Sequence, residues 1–227
     1  RLFSRLHRNN SDSHDMLLNS ITLSPGYRFG DHSVHLLGSY SHIQLRDPSY
    51  KAYLDEFRVG PALRSRLWRG ALLETAVGYR FREYAQPPSM IEEDRDSETA
   101  EASMSGYLRL PLDAVLAGGY GFARENTDGK NHDNVAHRIS MNVVLPAWDR
   151  FRFEAGGEVL VEDYRNFHTV YYTKRHDRTY EFTAGVSWEM TGAATLMGRY
   201  AYTRADSNLA IYDYDRSVYS IGVGYRF

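Results

Sequence analysis

The sequence of 227 residues contains no cysteine, so disulfide bonds cannot stabilise its fold. It has no run of the roughly 18 consecutive apolar residues that a membrane-spanning helix requires. Its formal net charge of −2 at pH 7 provides no general attraction for nucleic acid or other polyanions. It also lacks zinc-ligand spacings and glycine-rich phosphate loops, so the residues predict neither a metal site nor a cofactor.

Tyrosine, in contrast, is abundant. The chain has 18 tyrosines, and aromatic residues make up 14% of it. A mean hydropathy of −0.53 and a charged fraction of 25% are typical of a protein in contact with water. Tyrosine, however, favours β-strands and membrane–water interfaces. The composition therefore favours β-structure that meets both water and an apolar phase.

Side-chain character alternates with period two along the whole chain, which predicts strands. In residues 177–189, for example, Tyr180, Phe182 and Val186 share one face, and Glu181 and Ser187 share the other. The predicted strands exceed the ~5–6 residues of globular sheets and suit the ~9–11 tilted residues that cross a bilayer. They lie at residues 1–8, 16–29, 33–46, 54–67, 71–84, 99–110, 114–125, 134–146, 150–163, 177–189, 193–205 and 214–227.

The connections between these strands alternate between short and long. The short ones are residues 29–33, 68–70, 112–114, 147–150 and 190–193; the long, polar ones are residues 9–15, 46–53, 85–98, 126–133, 165–176 and 205–214. A bilayer requires every backbone polar group to be paired, so such a sheet must close on itself. The predicted fold is all-β: one domain, residues 1–227, forming a closed antiparallel up-and-down transmembrane β-barrel of about twelve strands, with short periplasmic turns and long extracellular loops.

The last predicted strand carries a terminal pattern in which Tyr219, Ile221, Val223, Tyr225 and Phe227 alternate with mostly small or polar residues. This pattern resembles the C-terminal signature of Gram-negative outer-membrane β-barrel proteins, and the meander extends the resemblance over essentially the whole chain. The resemblance implies a location in the bacterial outer membrane. It also implies contact with the lipid bilayer and lipopolysaccharide, and recognition of the last strand by the barrel-assembly machinery.

Residues 199–227 also resemble the closing hairpin of barrel domains fused behind periplasmic helical repeats. Surface lipoprotein assembly modifiers and several porin-type families contain such barrels. Arg1 is not a natural start, so we expect a leader or a larger N-terminal part to precede the chain. The resemblance therefore leaves open a partner protein in the periplasm or in the outer membrane.

The inward face of the predicted barrel is rich in arginine and glutamate. Basic residues concentrate in 54–84 and acidic ones in 150–189, and we expect them to form two opposed walls. Rings or walls of charge select permeating ions by their sign. The predicted pore-lining residues are Arg58, Arg64, Arg80, Arg82, Arg109, Arg138, Arg199, Glu74, Glu154, Glu158 and Glu181; Glu56, Glu101 and Glu162 lie on the same face.

Three functions are compatible with this arrangement. The first is an outer-membrane channel or export conduit that passes polar solutes or polymer through a charge-lined bore. The second is a structural or assembly barrel whose charges pair and fill the bore while it anchors a partner. The third is an omptin-like rim protease, in which Asp213 and Asp215 would oppose an Asp–His couple from His168, His176 and Asp177. Since solvated loops commonly contain such residues, the protein is predicted not to be an enzyme.

Overall fold

A computed structural model describes residues 2–5, 16–46, 49–147 and 150–225, which form one antiparallel sheet of thirteen strands. The strands are β1 Leu2–Arg5, β2 Met16–Leu23, β3 Gly26–Phe29, β4 His32–Arg46, β5 Tyr50–Trp68, β6 Ala71–Tyr84, β7 Ser97–Arg109, β8 Val115–Thr127, β9 Asn134–Ala147, β10 Phe151–Phe167, β11 Lys174–Glu189, β12 Ala194–Ser207 and β13 Tyr214–Tyr225. Short 3₁₀ turns lie at Ile91–Glu93, Pro111–Asp113 and Ala210–Tyr212. Within these ranges, no helix has the length and apolarity needed to span a membrane.

The sheet is an up-and-down meander, because each strand pairs with its neighbours in the sequence. β2 and β3 both pair with β4 in one continuous register, from Met16 opposite Leu45 to Phe29 opposite His32. They are two halves of a single strand, interrupted at Pro25, which has no N–H to donate to the ladder. Counted in this way, the twelve strands predicted from the sequence are confirmed.

The predicted strand boundaries are wrong mainly at the end of the sheet that carries the long loops. β5 begins at Tyr50, so most of the loop expected at 46–53 belongs to strands, with a bulge between Ile43 and Gln44 of β4. β10 continues to Phe167 and β11 begins at Lys174. Here both faces of the strand carry polar side chains, so the alternation that marks strands in the sequence disappears while the backbone pairing continues.

The two faces of the sheet differ as the alternation predicts. Ile139 and Met141 on β9 are 62% and 63% exposed, and Ile221 on β13 is 86% exposed. Buried hydrophobic residues are few and mostly small, since among the described residues they comprise only Leu54, Ala62, Ala71, Ala114, Ala205 and Leu209. A continuous apolar outer surface of this kind requires apolar surroundings.

The terminal pattern lies on the outward face of β13. Tyr219, Val223 and Tyr225 are exposed there together with Ile221. Phe227, the last residue of the predicted assembly signal, lies outside the described residues. The outward aromatic side chains also contact one another across strands: Phe151 stacks on Trp188 with ring centroids 5.9 Å apart near the short turns. This position suits an interfacial girdle.

Candidate functional site

The inward side chains line the interior of the barrel, which we call the bore; it is open at the short-turn end and packed at the long-loop end. On β12, Met197 and Arg199 are exposed, whereas Thr203 and Ala205 further along are only 5% and 7% exposed. β11 shows the same gradient, from exposed Glu189 to buried Asp177. Any functional surface inside the bore is therefore shielded from the long-loop side.

The packed end is covered by a loop cap, which we define as residues 91–94, 128–133, 168–173 and 208–213. Glu93 is its central acceptor: Asn131 Nδ2 donates to Oε1 over 2.6 Å, and His132 Nε2 lies 3.0 Å from Oε2. His168 Nε2 lies 3.8 Å from Glu93 Oε1. Asn131 Nδ2 also donates to Thr169 Oγ1 over 2.9 Å. One carboxylate and one amide thus join three loops.

The charges in the loop cap are stabilised by these contacts. Burial raises the pKa of Glu93, but hydrogen bonds from Asn131 and His132 lower it more, so the net pKa lies below its usual range. Burial lowers the pKa of His132 below its usual value, against the opposing hydrogen bond to Glu93 and with help from the positive charge of Arg95. At neutral pH the cap therefore contains an ionised Glu93 and an uncharged His132.

A second layer of contacts lies directly beneath the cap. The guanidinium carbon of Arg175 lies 3.3 Å from the ring centroid of Tyr212 and 4.4 Å from that of Tyr164. Arg175 Nε also donates to Asp177 Oδ2 over 2.7 Å. Cation–π and ion-pair contacts of this kind hold the last turn of the chain against β10 and β11. The long-loop end of the bore is consequently filled by side chains.

The residues proposed for a rim protease do not form a catalytic couple. His176 and Asp177 are adjacent on β11 and point to opposite faces: His176 bonds to Asp163 on β10, and Asp177 bonds to Arg175 inside the bore. Asp215 accepts a hydrogen bond from Tyr202 Oη over 2.8 Å. Asp213 accepts one from the Ser207 backbone N–H, and His168 Nε2 lies 3.3 Å from Tyr212 Oη.

A cavity of about 390 Å³ lies inside the bore beneath the loop cap. Its walls come from β4 to β10, and glycine and alanine residues leave the space between the charged side chains free. Glu125 was missed as a site residue, although continuing the alternation of β8 by one step would have placed it inward. The charged side chains that line the cavity are Arg58, Arg80, Arg82, Arg138, Glu101, Glu125 and Glu162.

Most of the arginines in the cavity pair with carboxylates on nearby strands. Arg58 bonds to Glu101, Arg82 Nε donates to Glu56 Oε2 over 2.9 Å, and Arg82 Nη1 lies 3.4 Å from Glu125 Oε1. The direct ion pairs of these arginines are thus formed with nearby strands, and Glu162 is the residue of the acidic segment 150–189 that lines the same cavity; the two opposed walls stay a prediction. Adjacent strands lie only ~4.8 Å apart, so a carboxylate one or two strands away is the nearest available partner.

Of the other predicted pore-lining residues, Arg138 lines this cavity, and its Nε lies 3.5 Å from Glu158 Oε1. The rest lie outside the cavity. Arg199 and Glu154 line a smaller cavity of about 90 Å³. The remaining ones form pairs or contacts elsewhere: Arg64 with Glu74 at 2.6 Å, Arg109 with Asp113 beside a short turn, and Glu181 opposite Glu158 in the β10–β11 register.

Thr99, beside the cavity, provides a test of the packing. Its side chain is fully buried, and its hydroxyl has no hydrogen-bond partner among the described residues. Since an unmade hydrogen bond stabilises nothing, Thr99→Val is expected to leave the free energy of unfolding unchanged or to raise it by up to about 1 kcal/mol. Urea titration in lipid vesicles measures this change.

Asn134 is the matched control for Thr99. It is also buried, but its Nδ2 donates to His132 O over 3.0 Å and to Glu125 Oε2 over 3.3 Å. Asn134→Leu should therefore cost about 1–3 kcal/mol, because its partners are left unsatisfied. A loss at Thr99 as large as that at Asn134 would show that the Thr99 hydroxyl has a bonding role.

Comparison with known proteins agrees with this architecture. A family model described as "Outer membrane protein beta-barrel domain" matches residues 4–227. No curated protein matches the chain. The solved structures that resemble it include a loop-deletion mutant of OmpT, an outer membrane protein of Vibrio cholerae, with a TM-score of 0.56 and 11% identity. This match covers 96% of the chain and 64% of the Vibrio protein, so the chain spans less than two thirds of that protein's length.

Two porins are similar over almost their full lengths. The NanC porin superimposes with a TM-score of 0.54 at 14% identity, over 96% of each chain. An anion-selective porin from Comamonas acidovorans superimposes with a TM-score of 0.50 at 8% identity, over 95% of this chain and 90% of the porin. At these identities the likeness shows the fold alone.

Proposed function

The chain belongs to the outer membrane protein beta-barrel domain family, and from this premise we propose that it is a channel for small polar solutes whose extracellular mouth is closed by the loop cap. In an outer-membrane barrel the short turns lie in the periplasm and the long loops outside the cell. The open end of the bore thus faces the periplasm. The proposal gives the barrel a transport role and assigns it no catalytic residues.

The charged cavity is the observation that carries this proposal. A barrel of twelve strands is wide enough to keep internal space that eight strands would fill with side chains. In this barrel the space of about 390 Å³ is lined by four arginines and three glutamates. Charged groups in a bore attract polar solutes and exclude apolar ones. Arg80, which forms no ion pair within the described residues, supports a preference for anions, the property that the description of the Comamonas porin states for that protein.

A structural barrel that anchors a partner is the second candidate, and the packing of the extracellular half favours it. The loop cap and the Arg175 layer fill that half of the bore. If the cap never opens, solutes in the cavity cannot pass to the outside of the cell. The two candidates therefore differ in a measurable property, which is steady conductance.

Planar-bilayer recordings test the channel. The double variant of Arg80 and Arg82 to Ser should shift the reversal potential toward cations, and that of Glu154 and Glu158 to Ser should shift it toward anions. Both shifts should be largest at low salt, since screening weakens charge effects beyond ~8–10 Å at ordinary ionic strength. A parent protein that is silent at both pH 7 and pH 5 would contradict the channel and support the structural barrel.

A further inference from the structure

Arg80 differs from the other arginines of the cavity because it forms no ion pair within the described residues. Its Nε is shielded from water and forms no hydrogen bond within the described part of the chain. Its register partners are Arg58 on β5 and Thr99 on β7, neither of which offers a carboxylate. Such a group is costly to bury, and in a native structure it commonly indicates that a partner is missing.

The nearby carboxylates are already engaged with other cations. Glu101 is bonded to Arg58, and Glu125 lies 3.4 Å from Arg82 Nη1 and accepts from Ser97 Oγ over 2.8 Å. Glu56 accepts from Arg82 Nε over 2.9 Å. Within the described residues, Arg80 is therefore the arginine of this part of the bore that forms no direct ion pair. It is the group that an incoming anion would neutralise.

We infer that Arg80 binds the carboxylate of a compact organic monocarboxylate inside the cavity, an assignment that rests on the proposed function because the solute must enter the bore. A guanidinium presents paired N–H donors that match the two oxygens of a carboxylate. Binding would pair the half-buried guanidinium of Arg80 without displacing an existing ion pair. The site lies just beneath the loop cap.

The rest of the cavity determines the kind of acid that fits. A volume of about 390 Å³ holds a single small molecule. Glu101 and Glu125 are close enough to Arg80 to disfavour a second negative charge, so a monoanion fits better than a phosphate dianion. On the wall formed by β9 and β10, the apolar Ala136 and Leu160 lie between the polar side chains of Asn134, Arg138 and Glu162. These features favour a single carboxylate on a small body.

Calorimetric titration of the refolded protein in detergent micelles tests the site without requiring conduction. The probes are benzoate, its uncharged isostere benzamide, and the dianion phenylphosphonate at pH 8. Benzoate should bind, and benzamide and phenylphosphonate should bind at least about tenfold more weakly. Arg80→Gln should weaken benzoate binding by about tenfold or more, the loss expected for a bidentate charge-assisted pair. Arg64→Gln, which removes an arginine already paired with Glu74 outside the cavity, should change it less than about twofold.

The outcomes separate this inference from the proposed function. Benzoate binding that is absent in the parent, or equal in Arg80→Gln and the parent, would overturn the inference even if bilayers show a conducting channel. A silent channel that still binds benzoate through Arg80 would overturn only the channel. If Arg80→Gln does not fold, Arg80→Lys provides the test, because it keeps the positive charge and loses the paired N–H donors of the guanidinium. Benzoate binding by Arg80→Lys at parental strength would count against the site. Phenylphosphonate binding as tight as benzoate would overturn the monocarboxylate class.

Discussion

Ile139→Arg is expected to lower the free energy of unfolding in lipid vesicles by about 2–4 kcal/mol, as charged residues do at the midplane of a bilayer barrel. Ile139 lies near the middle of β9 on the outward face and is 62% exposed. An arginine there would place its guanidinium in hydrocarbon, where no carboxylate or water satisfies it. Denaturant titration of the protein refolded into vesicles measures the effect.

Ser140→Arg is the matched control, one residue along the same strand. Ser140 points into the bore and is the register partner of Glu158 on β10, so a guanidinium there would lie beside a carboxylate. Its cost should be clearly smaller than that of Ile139→Arg. If Ser140→Arg proves the more destabilising of the two, the assignment of lipid-facing and bore-facing residues is inverted.

The faces of the strands could be predicted from the sequence because lipid and bore impose opposite requirements on alternate residues. Val186 and Trp188 were placed outward and Glu181 inward by alternation alone, and the structure agrees for all three. One residue of slip would place every charge of a strand in lipid, so the pattern determines the register strongly. This constraint acts only where a bilayer touches the wall.

The loop cap and the partners of the arginines could not be predicted in this way. Glu93, Asn131 and His168 come from three loops that are far apart in sequence, and loops carry no periodicity. For the arginines, alternation indicates that Arg58 and Arg82 point inward but not which carboxylate each one reaches. That choice depends on strand register and stagger, which the structure defines as Arg58 with Glu101 and Arg82 with Glu56.

Acidification from pH 7 to about 4.5 is expected to loosen the loop cap. The folded-state pKa of His132 lies below its unfolded value of about 6.5, so its stabilising effect is present above that pH and is lost as pH falls. The folded-state pKa of Glu93 lies below its unfolded value of about 4.5, so its contribution has the same sign and is lost at lower pH. Protonation of either group therefore favours an open cap, and we expect the cap to begin to lose stability near pH 6.5.

Amide hydrogen exchange can report this opening directly. The backbone N–H groups of Gly129 and Asn131 donate to Asp94 O and Glu92 O, both over 3.1 Å, so they are protected only while the loops stay together. Glu93→Gln removes the charge that accepts from Asn131 and should lower protection at these two amides about tenfold or more at pH 7, since bonds to charged groups contribute about 1.5–3 kcal/mol. It should also flatten the pH dependence below the pKa of His132.

Glu92→Gln is the control, because it removes the adjacent carboxylate of the same 3₁₀ turn, whose side chain makes no bond to another loop within the described residues. Protection and pH dependence in Glu92→Gln should match the parent. Bilayer conductance recorded in parallel should rise with the fraction of open cap, earlier in Glu93→Gln than in Glu92→Gln. If Glu93→Gln keeps both the parental protection at pH 7 and the parental pH profile, the contacts of Glu93 do not hold the cap closed.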